Sequence, residues 1–132
     1  MRTSPLAALS CAMLLGCSSD GTDPSDAPLA CTGPVTIAVS SSTSPSFSWT
    51  PACSLFFVNV ELGATDQWSI ISDSTNAIAP PVRYGVVPAG AEQSTSEVTP
   101  LQAGQTYDVN LFYWTGPDAQ DGILIGTQNF TP

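Results

Sequence analysis

The chain has no histidine and no lysine, and its only basic residues are Arg2 and Arg83. Nucleophilic catalysis of the Ser-His-Asp or Cys-His kind needs a base that titrates near neutral pH, and no side chain here supplies one. Two bases against eleven acids give a formal net charge of −9. Such a polyanion cannot neutralise phosphates, which excludes nucleic-acid binding, and docking on anionic lipid through charge fails for the same reason. Only two of the four cysteines, Cys31 and Cys53, lie in the globular part, and two cysteines without histidine make a poor metal site, so no metal and no cofactor are expected. Helical periodicity is absent over any useful window. The chemistry that remains is a carboxylate pair, as in glycoside hydrolysis. The acids fall mostly in loops (Asp66, Asp73, Glu92, Asp118, Asp121), where solvated charge is the ordinary explanation, and a domain of this size forms a deep cleft with difficulty. No catalytic activity is expected.

What is present begins with an address. Arg2 precedes an apolar stretch from Pro5 to Leu15, too short to span a membrane and followed at once by polar residues. The stretch closes on Leu14-Leu15-Gly16-Cys17, which resembles the lipobox of bacterial lipoproteins. The resemblance implies a signal peptide over residues 1–16 and an acylated Cys17 as first residue of the mature chain. It further implies an envelope location, lipid-anchored, with Ser18 favouring the outer membrane. The alternative is an ordinary secretory signal cut near Gly16, with Cys17 a bystander. Removal of Arg2 leaves Arg83 alone against eleven acids. Residues 18–30 (SSDGTDPSDAPLA) are small, acidic and proline-bearing, the composition of a tether reaching about 20 Å as a flexible coil.

Cys11 leaves with the signal and Cys17 takes the lipid, so Cys31 and Cys53 form an even pair in an oxidising compartment, where a disulfide is expected. The pair is centred on residue 42, inside the run Ser40–Ser44, and a turn there sets the two cysteines opposite each other across an antiparallel pair. Closing such a loop stabilises by roughly 3 kcal/mol in the chain-entropy model. Two free buried thiols are the alternative.

Residues 31–132 are one domain's worth of chain. Short alternating runs rich in β-branched and aromatic residues predict strands at 34–40, 45–50, 55–62, 67–72, 82–87, 94–99, 105–114 and 122–130. Seven or eight antiparallel strands at this spacing indicate an all-β sandwich. Two segments resemble fibronectin type III domains, an immunoglobulin-like fold: Pro45-Ser46-Phe47-Ser48-Trp49-Thr50-Pro51, and Leu101-Gln102-Ala103-Gly104-Gln105-Thr106-Tyr107-Asp108-Val109. The resemblance implies a core role for Trp49 and a corner in which the Tyr107 hydroxyl bonds to upstream backbone. The segment 76–92 departs from that family; there Ile78, Val82, Tyr84 and Val86 suit an edge strand held by prolines.

Alternation places Tyr107, Val109, Leu111 and Tyr113 on one face of their strand and Asp108, Asn110, Phe112 and Trp114 on the other. On a neighbouring strand Phe56, Val58, Val60 and Leu62 are expected inward, with Phe57, Asn59 and Glu61 outward. The expected recognition patch is therefore Phe57, Phe112 and Trp114, with Trp68 from a third strand. A loop folded over these rings is the alternative. The segment Gly116–Gly122 offers Asp118 and Asp121 to a calcium ion, although a plain turn explains it better. The composite expectation is a lipid-anchored binding or structural accessory module whose partner is another envelope protein. The alternatives are a glycan-binding module using Asn59, Asp108 and Asn110, and a small carboxylate-dependent hydrolase.

Overall fold

Strands whose apolar residues recur at every second position bury one face each, and two such sheets stacked together satisfy both. The computed structural model describes Leu29–Asp118 and Gly122–Pro132; the lipobox, Cys17 and most of the tether lie outside the described residues. Eight strands run in order: β1 (Thr36–Val39), β2 (Ser46–Thr50), β3 (Phe57–Leu62), β4 (Thr65–Ser72), β5 (Val82–Arg83), β6 (Ala91–Gln93), β7 (Tyr107–Trp114) and β8 (Gly122–Phe130). They form a three-stranded sheet, β1-β2-β5, and a five-stranded sheet, β6-β4-β3-β7-β8, with every pairing antiparallel. No helix occurs among the described residues. The fold is an all-β sandwich, as the alternation indicates.

The chain crosses between sheets from β2 to β3, returns from β4 to β5, and crosses again to β6. Phe47 and Trp49 of β2 face Val58, Val60, Trp68, Ile70, Val109 and Leu111 of the larger sheet, all at most 3% exposed. Burying each such side chain contributes about 1.5–3 kcal/mol. The Trp49 indole N–H donates to the Cys53 carbonyl at 2.7 Å, tying β2 to the turn that follows it. Tyr107 is buried, and its hydroxyl accepts the Gln102 backbone N–H at 2.9 Å, the corner expected of it.

The Cys31–Cys53 disulfide is present, with Cα atoms 5.0 Å apart. The β1–β2 register, from Thr36↔Thr50 to Val39↔Phe47, is centred on residue 43 rather than 42. The cysteines bond just beyond the end of this ladder, not as partners within it. The same end is held by the Ser54 N–H, which donates to the Leu29 carbonyl at 2.8 Å.

Two strand expectations need correction. The run 82–87 shortens to Val82–Arg83, because Gly85 turns the chain at φ 75°. Ile78 and Tyr84 are nonetheless buried, Ile78 bridging Leu55, while Val86 is half exposed. The run 94–99 is not a strand; the ladder to β4 is made by Ala91–Gln93. Residues 94–99 then follow the β4 edge by isolated bonds, Ser94 N–H to Ser69 O and Thr99 N–H to Gln67 O.

Two irregularities set the side-chain positions that matter below. A bulge between Val60 and Glu61 pairs Val60 with Trp68 but Glu61 with Asp66, leaving Gln67 as the extra residue. A second one pairs Leu111 with Gly126 but Phe112 with Leu124, leaving Ile125 over. There β1 approaches β8, with Val35 N–H on Ile125 O at 2.9 Å. A Cβ on Gly126 would lie 2.9 Å from Val35 Cγ2, so the missing side chain makes the approach possible.

Candidate functional site: the outer face of the larger sheet

Four strands, β4-β3-β7-β8, present three successive rows on the face turned away from the core. Cross-strand partners define them. The first row is Ile71, Phe57, Phe112 and Leu124; the second is Ser69, Asn59, Asn110 and Thr127; the third is Asp66, Glu61, Asp108 and Asn129. The face is thus apolar at one end, amide-bearing in the middle and acidic at the other.

Phe57 and Phe112 are directly opposed, with ring centroids 5.6 Å apart and planes tilted by 56°. Trp114 lies two residues beyond Phe112 on the same face and packs 6.2 Å from Phe56. These four rings are half-buried, the state of aromatic groups flanked by one another on an open sheet. Phe57, Phe112 and Trp114 therefore come together as alternation foretold. Trp68 does not join them: the β3–β4 bulge turns it inward opposite Val60, where it is 0% exposed and 5.3 Å from the Tyr84 ring. Its indole N–H has no hydrogen-bond partner among the described residues. Phe56, expected inward, instead accompanies Trp114, because it precedes the β3 ladder and escapes its alternation. Leu62, also expected inward, is 37% exposed at the hairpin.

The middle row is a connected network. One amide nitrogen, Asn59 Nδ2, donates to Glu61 Oε1 at 2.8 Å and to Asp66 Oδ1 at 3.0 Å. Asn110 Nδ2 donates to Asn59 Oδ1 and to Glu61 Oε2, each at 3.1 Å. Thr127 Oγ1 donates to Asn110 Oδ1 at 2.8 Å, and Asn129 Nδ2 donates to Asp108 Oδ1. Asn59 is only 6% exposed. The Asn59 amide thus bridges Glu61 and Asp66, carboxylates that face each other directly across β3 and β4, a like-charge pairing that is destabilising when uncompensated. These contacts fix the polar groups against one another and leave few of their donors for a ligand.

Beyond Trp114 the chain turns. Asn76 clamps the strand end, its Nδ2 donating to Trp114 O at 2.9 Å and its Oδ1 accepting from Trp114 N–H at 2.8 Å. A depression of about 390 Å³ lies here, lined by Thr75, Asn76, Trp114, Thr115, Gly116 and Pro117. The Trp114 indole N–H donates to Asp118 O at 2.7 Å. Among the described residues no three His, Cys, Asp or Glu side chains are placed to hold a metal ion. Asp121, the second carboxylate of the expected calcium loop, lies outside them.

Sequence reasoning missed Phe56, Ile71 and Leu124. The run Gly122-Ile123-Leu124-Ile125 does not alternate, and only the bulge opposite Phe112 decides which of its residues faces outward. No family model, curated protein or solved structure matches the chain.

Proposed function

We propose that the chain is a non-catalytic binding module of the bacterial envelope, held by a lipid on Cys17, whose recognition surface is the outer face of the five-stranded sheet. The observation that carries this reading is the row Ile71–Phe57–Phe112–Leu124, four apolar side chains side by side on a face that no other strand covers among the described residues. Clustered aromatic groups on a surface mark recognition sites. The partner is a protein of the envelope. The 3 + 5 strand arrangement and the Tyr107–Gln102 corner support a fibronectin type III-like domain, a scaffold that hosts many functions and by itself names none.

A photo-crosslinking residue at position 112 tests the reading in the native envelope, with exposed Ser48 on the opposite sheet as control. The expected result is a discrete adduct from position 112 that disappears with Phe57→Ala. Equal labelling from both positions, or none, overturns the recognition surface. A fatty-acid probe that leaves the protein unmarked overturns the lipid anchor.

Glycan binding is the second reading, favoured by the Trp114 ring beside the 390 Å³ depression. It stands second because Asn59, Asp108 and Asn110 are engaged with their neighbours. Retention on a glycan array that Trp114→Ala abolishes would reverse the order.

A further inference from the structure

The end of the sandwich where the described chain begins exposes three large apolar side chains, Leu29, Ile123 and Leu124. Leu29 is held there by its bond from Ser54, and the Cys31–Cys53 bond secures the following residues to the same end. β3 starts from this end, β7 arrives at it with Trp114, and β8 leaves it at Gly122. Leu29 is 66% exposed, Ile123 50% and Leu124 54%. The half-buried Phe56–Trp114 pair lies beside them. Among the described residues the other exposed large hydrophobics are Leu62, at the far end of β3, and Val86, Val87 and Val98, outside the regular strands. Apolar exposure of this kind, gathered at one pole, marks a contact surface.

We infer that this pole seats on the bilayer that holds the Cys17 lipid, with Leu29, Trp114, Ile123 and Leu124 entering the headgroup region. The inference rests on the lipid-anchor reading. Its argument is the length of chain before the described residues. Only residues 18–28 separate Cys17 from Leu29, a stretch whose covalent length cannot carry the pole more than about 40 Å from the anchor. Tethering makes the contact intramolecular, so a weak surface affinity suffices to hold it. Trp and aliphatic side chains suit the interface.

Charge selects the lipid. Asp73 and Asp118 are exposed at this end, and the chain's one described base, Arg83, lies on β5 of the other sheet. Anionic headgroups repel such a pole, and zwitterionic ones accept it. Strands then stand away from the membrane, and the acidic row Asp66–Glu61–Asp108 is carried outward. Trp114 and Leu124, the β8 end of the first row, belong to the seat, while Ile71, Phe57 and Phe112 remain for a partner.

The mature chain offers its own test, because Cys17 is its only thiol outside the disulfide. Coupling it to a maleimide lipid in phosphatidylcholine vesicles reproduces the tether without cellular acylation. Brominated acyl chains quench nearby tryptophan, and of the three tryptophans Trp49 and Trp68 are buried in the core. Quenching is expected, absent in Trp114→Phe and lost in the Ile123→Glu/Leu124→Glu double variant while that protein stays folded and vesicle-bound. Replacing part of the lipid with phosphatidylglycerol should weaken it. No quenching, or quenching that the double variant retains, overturns the seat. Failure of the anchor itself is read separately, as an unmarked protein after fatty-acid labelling of the producing cells.

Discussion

The backbone N–H of Gln102 donates to the Tyr107 hydroxyl across 2.9 Å, joining the loop before β7 to a ring that is 2% exposed. The Tyr107 ring also stacks on Phe130 at 5.7 Å, so the hydroxyl contributes in addition to a ring already fixed by packing. Tyr107→Phe keeps the packing and removes the acceptor. We expect a loss of about 1 kcal/mol, seen as a lower urea midpoint at unchanged slope.

Cys31 and Cys53 close a loop with a sequence separation of 22. Cys31→Ala/Cys53→Ala should lower stability by about 3 kcal/mol in the chain-entropy model, and reductant should do the same to the native protein. Thermal unfolding with and without reductant checks both, and the double variant should be insensitive to it.

Tyr84 has its pKa pushed from 10.0 up to about 12, first by burial and then by the neighbouring Tyr107. A raised pKa keeps the native hydroxyl protonated where the unfolded one ionises. Its contribution to stability is whole below pH 10 and is lost as pH rises from 10 to about 12. Tyr84→Phe should flatten the fall in stability across that window. It also removes the bond that the hydroxyl donates to Thr99 O, so the variant should start from a lower value at neutral pH. Denaturant titrations over a pH series separate the two effects.

Asn59 donates to both Glu61 and Asp66. Asn59→Asp replaces that donor with a further carboxylate at a position only 6% exposed. The cost at neutral pH should be about 2–3 kcal/mol, the scale of hydrogen bonds to charged groups. Part of it should return on acidification, as the introduced carboxyl takes up a proton and regains a donor. Thermal melts at neutral and acid pH measure the difference, and Asn59→Ala should lack the acid recovery.

Gly126 admits β1 to the β8 edge. Gly126→Ala places a Cβ 2.9 Å from Val35 Cγ2 and 3.2 Å from Ile37 Cδ1, and overpacking of this kind costs about 1–3 kcal/mol. Val35→Ala in the same chain should recover much of the loss, and a double-mutant cycle reads the coupling directly.

How far these features were legible follows from where each is encoded. The inward set of β7, Tyr107, Val109 and Leu111, and the outward set of Asp108, Asn110, Phe112 and Trp114 follow from two-residue alternation. On β7 nothing interrupts that pattern. Trp68 and Leu124 lie beside bulges, where one inserted residue reverses the faces. The strand's own residues carry no mark of which partner will oppose them. Ile78, Tyr84 and Val86 read alike in the chain, yet Gly85 turns the last of them out to solvent.

By itself the sequence determined that this is a β protein without a base for nucleophilic catalysis, strongly acidic, and with one pair of cysteines placed to bond. Those are properties of composition and of local periodicity, which need no partner strand to be expressed. Only the tertiary structure decided that Phe57 meets Phe112, that Asn59 lies among carboxylates, and that Leu29, Trp114 and Leu124 share one end. Each of these depends on the register between strands far apart in the chain, set by how bulges and the packed core accommodate one another.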